Sequence, residues 1–516
     1  MPGLSSSVSR EIDWHTASSN VLVDARSDFI LAPHFDLIFR EKSDDLIAQV
    51  AADLASGHYE PQLPISISVP KPGLLTRPGS ILLPKDRLIY QALIQDMLTP
   101  VEQQFDRSRS FSHVPSDQAD RLFEPSYSGW SAFQRRVEEI CNEKPVILQC
   151  DVANYFETLP QHNLINALEG ASCRTECVRL LEKLLLAFRE KSSQGIVQGI
   201  FPSDVLGNFY LTDADAHCAL FEHPSARYVD DIYIGFDNEL GARSFLVDFI
   251  ESLRSVGLTL NATKTRICRS SELLFEQREV DTMFQAARGE VETTRDLIEE
   301  GAYGFQGDWI NSDDYEEAIN EGLDTELLAV RALIAYDYPD EELAEKIDRF
   351  SLPYLRASGD DFGVERAFQG LEQRPHLIRH YFSYLNHFAR TNPDVQERIE
   401  ALIVRNGFYL DYQRMYYMAG VLTCQNVASE TVAQVMTWYR NRSVGRHTRA
   451  LAAIFTCKFG SARERREVRA TYSNEDPYVR AAILYGAQFF TNAEKRTMKT
   501  AWNGHSELNS LIAAAI

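Results

Sequence analysis

The chain has 516 residues, of which 44% are hydrophobic and 24% charged, and its net charge is −22. That length exceeds one typical core, so two or three domains are expected, and no apolar run is long enough to span a bilayer. The acidic balance argues against a broad duplex-binding surface, which needs clustered cations, but leaves room for a local basic channel or for a site that meets phosphate through metal ions.

Residues 1 to 60 mix polar starts with apolar runs such as SNVLV and DFILAPHFDLIF. The stretch PISISVPKPGLLTRPGSILLPKDRLIYQALIQDML, from residue 64, is rich in Pro, Gly and β-branched residues before turning helical. It reads as short strands followed by a helix from about Lys85. Residues 145 to 270 alternate strand and helix: PVILQCDV is a buried strand, QHNLINALEG a short helix and SDVLGNFYLTDADAHCAL a longer one. ARYVDDIYIGF, at 226 to 236, reads as two short strands around a turn, and FLVDFIESLRSVG as a helix. That order suits an α+β layer, a small antiparallel sheet backed by helices.

After residue 275 the texture becomes acidic, glycine-punctuated and poor in strand signal, as expected of a connecting region over 276–320. From 321 to 516 helical stripes recur: Val395, Ile399, Leu402 and Ile403; Val432, Val435, Met436 and Tyr439; Val479, Ala482, Ile483 and Gly486. The similar starts NPDVQERIEAL and EDPYVRAAIL point to an all-α domain of stacked, HEAT-like helix pairs, with an irregular bundle as the alternative. Cys173 and Cys177 lack the second pair that a zinc site needs, and the eight scattered cysteines do not resemble a disulfide framework. The start MPGLSSSVSREIDW lacks the order of a secretory signal, so a reduced, cytoplasmic location is expected.

Two adjacent aspartates, Asp230 and Asp231, interrupt a run of strand-forming residues. Aspartate is depleted in strands, and the plain reading is a solvated turn. Asp151, at the end of the apolar strand QCDVANYF, is a second unexpected charge. Two strands of one sheet delivering these carboxylates to one edge would make a site for two hard divalent cations, able to stabilise the attacking and leaving oxygens of a phosphoryl displacement. Between them, Gln198–Gly199 precedes a helix expected to start near Ser203, a good N-cap residue. A glycine there permits close backbone approach to a ligand, although turn punctuation alone would also explain it.

Arg77 with PKDR at 84–87, DVANYF at 151–156, QGxxxS at 198–203, YVDD at 228–231 and GLTLNATKT at 257–265 occur in the order of the reverse-transcriptase motifs. Residues 61–275 therefore resemble the fingers and palm of reverse transcriptases, with 1–60 as an N-terminal extension of the fingers. The resemblance implies Asp151, Asp230, Asp231 and Lys264 as catalytic residues, with Lys264 near the leaving pyrophosphate. It implies Asp151, Val152, Asp230 and Asp231 around two Mg²⁺ ions, with Mn²⁺ as a substitute. Tyr155, or failing that Phe156, would lie beneath the sugar of the incoming dNTP and exclude a 2′-hydroxyl; core packing is the alternative for Tyr155. Gln198 and Gly199 would border the nucleotide, and Arg77, Lys85 and Arg87 are candidate cations for its triphosphate, with surface ion pairs as the alternative.

A helical C-terminal half on a compact palm further resembles the bacterial abortive-infection (Abi) polymerases and related defence-associated reverse transcriptases. That resemblance implies a homo-oligomer (trimer or hexamer), protein-primed and template-independent synthesis, and a single-stranded DNA product attached to the protein. Conventional RNA-templated synthesis, with RNA as a partner, and a non-catalytic nucleic-acid or protein scaffold are the alternatives. Arg440, Arg442, Arg446, Arg449, Lys458, Arg463, Arg465, Arg466 and Arg469 could form a product groove or a helical face with internal ion pairs. YLDYQRMYYM at 409–418, serines 5 to 7 and Tyr59 are the candidate sources of a priming hydroxyl, with core packing as the competing reading for the tyrosine-dense stretch.

Overall fold

The structure is a computed structural model and describes residues 6–25, 30–116, 118, 122–124, 126–299 and 325–516. Strands β1 (Ile65–Pro70) and β2 (Thr76–Ile81) form a two-stranded sheet. Strands β3 (Val146–Asp151), β4 (Ser225–Tyr228), β5 (Asp231–Phe236) and β6 (Arg266–Arg269) form a four-stranded sheet in the order β4-β5-β3-β6. All its pairings are antiparallel, with Asp151 opposite Asp231 across β3 and β5, and Tyr228 opposite Asp231 across β4 and β5.

The two-residue period of a strand puts Ile147, Gln149 and Asp151 on one face with Asp231, Tyr233 and Gly235. On that face the helix Ser126–Glu143 packs Phe133, Val137 and Ile140 against Ile147 and Ala226. Gly235 leaves room for this close approach, since a Cβ there would sit 2.6 Å from Ile140. Each fully buried side chain of this size contributes roughly 1.5–3 kcal/mol. A rigid apolar floor thus carries the two opposed aspartates at one end of the sheet.

The described residues fall into two compact units, one drawn from Met1–Ile67, Pro78–Leu274 and Asn492–Ile516, the other from Ser68–Arg77 and Phe275–Thr491. The four-stranded sheet belongs to the first. Residues 492–516, expected with the C-terminal helices, also group there, and Glu507 makes an ion pair with Lys85. Where a connecting region was expected, 276–299 is helical, part of the helix Ser270–Glu299, and residues 300–324 lie outside the described residues. Val280, Met283, Phe284, Ala287 and Val291 recur at helical spacing and pack with Leu328, Leu333 and Ile347, an apolar stripe concealed by the surrounding acidic residues. Among the described residues no helix is long and apolar enough to cross a membrane.

The second unit is a succession of helices whose core includes the expected stripes: Val395, Ile399 and Ile403; Val432, Val435, Met436 and Tyr439; Val479, Ala482 and Ile483. Leu402 is half-buried at the edge of its stripe. One buried base sets an acid limit on this unit. His447 takes the Tyr478 hydroxyl at 2.8 Å, and burial pushes its pKa down to about 3. The folded chain therefore resists protonation that the unfolded chain accepts, and the stabilisation present above the unfolded pKa is lost as pH falls. The helical unit should lose about 2 kcal/mol between pH 7 and pH 5 through this group alone. Urea unfolding at the two pH values checks this, and His447→Gln should shrink the difference.

Candidate active site

The YVDD segment is a hairpin closed by two residues, Val229 and Asp230, between the paired Tyr228 and Asp231. Val229 has φ +56°, a left-handed conformation that a β-branched residue rarely adopts and that costs of order 1–3 kcal/mol. Turns this tight favour glycine there because their twist matches that of the strands. The aspartates are half-buried, so the plain reading of a solvated turn does not describe them.

Asp151 is buried at the end of β3, and the chain after it continues into a short pairing with the GLTLNATKT segment. The N–H of Ala153 donates to the Thr259 carbonyl at 2.8 Å, and that of Asn261 to the Asp151 carbonyl at 2.7 Å. Asn261 then does two things. Its amide nitrogen donates to Asp151 Oδ2 at 3.0 Å, and its Oδ1 accepts from Thr263 N at 3.2 Å, turning the chain. The turn returns Lys264 Nζ to Asp151 Oδ1 at 2.7 Å. Asn261 was not among the expected site residues, although it opens the same NATKT stretch that pointed to Lys264.

The electrostatics follow from this crowding. Burial, then Asp231 and Asp151, raise the Asp230 pKa to about 6, with Lys264 opposing. Asp231 is also raised, by burial and by Asp151. For Lys264, burial pulls the pKa down, but the bond to Asp151 and the charges of Asp231 and Asp230 outweigh it and the pKa rises. Like charges directly opposed on a sheet destabilise it unless a cation intervenes. Among the described residues no group of three or more His, Cys, Asp or Glu is poised to hold a metal ion, and both oxygens of Asp151 are turned to Lys264 and Asn261.

The remaining expected residues divide. Tyr155 is buried, and its hydroxyl donates to the Gly207 carbonyl at 2.5 Å. Phe156 lies against it edge-on, at 5.4 Å between centroids, and is the more exposed ring of the two. Gly207 makes room for both, because a Cβ there would approach Phe156 to 2.9 Å and Tyr155 to 3.2 Å. Gln198 and Gly199 are half-buried in the turn before the helix Phe201–Tyr210, with Gly199 at φ +85°.

That helix starts two residues before the expected Ser203. Pro202 suits its first turn, and the Ser203 hydroxyl is 2.9 Å from that of Tyr90. Its N-terminal Phe201 N–H donates to Asp24 Oδ2 at 2.9 Å. The same carboxylate receives Arg87 at 2.7 Å, so Arg87, expected among the triphosphate cations, is instead buried in an ion pair. Lys85 is held by Asp53 at 2.5 Å as well as by Glu507. Arg77 lies on β2 and groups with the second unit.

Residues 69–285 match the family model for reverse transcriptase (RNA-dependent DNA polymerase). Over those residues, under half of its length, the chain is similar to the reverse transcriptase domain. With it comes the enzyme class, a nucleotidyltransferase of the reverse-transcriptase type. The matched range takes in every candidate site residue, from Arg77 to Lys264. No curated protein matches the chain. Among solved structures, it is similar to telomerase from Candida albicans bound to a telomeric RNA fragment, at 9% identity and a TM-score of 0.32, over 88% of this chain and 67% of that one. It is likewise similar to telomerase from Candida tropicalis, at 12% identity and a TM-score of 0.31, over 89% and 67%.

In the helical unit, the cations expected to line a product groove are largely committed to internal bonds. Arg440 pairs with Glu467, and Arg442 and Arg449 share the buried Glu475. Lys458 donates to the Leu422 carbonyl at 2.6 Å and Arg465 to the Lys458 carbonyl at 2.6 Å. In the tyrosine-dense stretch Tyr412, Tyr416 and Tyr417 are buried and Tyr409 is exposed. Tyr59 is buried too, its hydroxyl on Asp86 at 2.5 Å. The side chains of serines 5 to 7 lie outside the described residues.

Proposed function

We propose that this enzyme is a Mg²⁺-dependent DNA polymerase that joins dNTPs at Asp151, Asp230 and Asp231, by protein-primed, template-independent synthesis in the abortive-infection defence of a bacterial cell. The observation that carries the polymerase reading is the pairing of Asp151 with Asp231 across β3 and β5, with Asp230 in the adjoining turn. Three hard carboxylates, with Asp230 and Asp231 reluctant to ionise beside their neighbours, suit divalent cations. Asp151, Asp230 and Asp231 would hold the ions together with the Val152 backbone, and Mn²⁺ would substitute. When bound, the metal supplies charge stabilisation for the attacking and leaving oxygens.

The chain's own residues do the rest. Lys264 leaves Asp151 and neutralises the departing pyrophosphate, a task suited to a compact charge on a flexible stem. Phe156 takes the place beneath the sugar, since the Tyr155 hydroxyl is already spent on Gly207. Gln198 and Gly199 border the nucleotide. Phe156→Ala should lower the preference for dNTP over rNTP about tenfold or more, about 1.4 kcal/mol, as read by competing incorporation of the two.

The Abi-type reading is supported by the long helical region that accompanies the palm-like sheet, which we take as HEAT-like repeats in a trimer or hexamer. The internal pairing of the 440–469 cations fits an enzyme that does not clamp a long duplex. Tyr409 is the accessible hydroxyl of its stretch and the first candidate for priming. The test is to incubate the protein with each labelled dNTP and Mg²⁺, then run denaturing gels with and without protease. Label that stays on the polypeptide and is released by protease supports protein priming; free product alone refutes it. RNA-templated synthesis is the second reading, favoured by the description of the matched family, and predicts product sequences that mirror an added RNA.

A further inference from the structure

Arg227 is fully buried, and it immediately precedes the YVDD segment. Its guanidinium grips Asp215 with two parallel bonds, Nε to Oδ1 at 2.9 Å and Nη2 to Oδ2 at 2.5 Å. Nη1 reaches the Asn208 side-chain oxygen at 2.6 Å and the Val229 carbonyl at 3.0 Å. On the other side of the same residue, the Val229 N–H donates to the Ser112 hydroxyl at 3.2 Å. Asn208 closes the ring by donating to the Ser112 carbonyl at 3.0 Å. The Arg227 backbone is fixed as well, donating to the Arg109 carbonyl at 2.7 Å and accepting from Phe111 N at 3.1 Å.

The strained residue of the turn is therefore held by both of its backbone polar groups, and both holders belong to one buried network. The network is not there to balance the catalytic charges. Arg227 spends its charge on Asp215 in a fork, and the cation bonded within the aspartate cluster is Lys264, on Asp151. A buried ion pair adds little net stability, and its best use is to specify one conformation. We propose that Arg227, Asp215, Asn208 and Ser112 form a brace that locks Val229 in its left-handed conformation and so fixes where Asp230 stands. They are positioning residues. The inference deepens the polymerase reading and rests on it only for the consequence in catalysis.

The test uses full-length protein in two base variants, each also combined with a third change. Arg227→Met with Asp215→Leu replaces the ion pair by apolar side chains that can pack, and removes the bond to Val229. Ser112→Ala removes only the acceptor of the Val229 N–H, and serves if the double variant fails to fold. Adding Val229→Gly to either relieves the strain that the brace opposes. The brace predicts faster amide exchange in a peptide spanning residues 226–232 and weaker binding of Mn²⁺ alone, by about tenfold. It also predicts a loss of about a hundredfold in kcat with the dNTP KM within about threefold of wild type, the scale of a 1 Å misplacement. Val229→Gly should restore part of the kcat. Folded variants with wild-type exchange, Mn²⁺ affinity and kcat overturn the brace. If the wild type incorporates no nucleotide while exchange and Mn²⁺ binding still respond, the polymerase reading fails and the brace stands.

Discussion

Asp230→Asn should lower nucleotide incorporation about a thousandfold or more, a loss of about 4 kcal/mol in transition-state stabilisation. The substitution keeps the size of the side chain and its ability to hydrogen-bond, and removes only the charge. Burial and the neighbouring Asp231 and Asp151 already oppose ionisation of Asp230, so the fold does not depend on that charge. The melting temperature without metal should stay the same or rise. Label incorporation and a thermal melt on the same preparation read both effects. Loss of activity with an intact melt assigns the carboxylate to the chemistry, whereas full activity in the variant removes it from the site.

Asp348→Ala should cost the helical unit about 3–5 kcal/mol, the usual result of leaving buried cations without their partner. Asp348 is fully buried and accepts from Arg366 at 2.8 Å, Arg374 at 2.9 Å and the Tyr381 hydroxyl at 2.6 Å. Its neighbours have no slack, because Gly370 lies so close that a Cβ there would meet the Tyr381 ring at 2.2 Å. Replacing the carboxylate leaves two arginines in the interior, each without the bond it made to Asp348. Urea unfolding should show the midpoint of the helical unit falling, with a smaller fall in Asp348→Asn. An unchanged midpoint in Asp348→Ala would mean that water reaches the arginines.

What was legible in the sequence was the set of misfits. A carboxylate ending an apolar strand and a pair interrupting another were visible because strand composition rarely tolerates them, and β3 and β5 bring Asp151 and Asp231 face to face. Partnerships were not legible. Arg227 looks like any strand arginine until Asp215 and Asn208, from two preceding helices, are seen around it. For the same reason Lys85 and Arg87, which the motif order offered to a triphosphate, could not be seen to belong to Asp53 and Asp24. Tyr155 and Phe156 are adjacent and both aromatic, and the bond from the Tyr155 hydroxyl to Gly207 could not be read from either. The segment after residue 275 misled in another way, since its acidic residues outnumber the stripe from Val280 to Val291 that packs the helix.

Anomalous diffraction from crystals grown with Mn²⁺ and a dNTP tests the central claim most directly. Two peaks bounded by the carboxylates of Asp151 and Asp230, with Asp231 alongside and Lys264 withdrawn from Asp151, are the predicted result. Nucleotide bound elsewhere, with no peak at these aspartates in crystals of active protein, would contradict it.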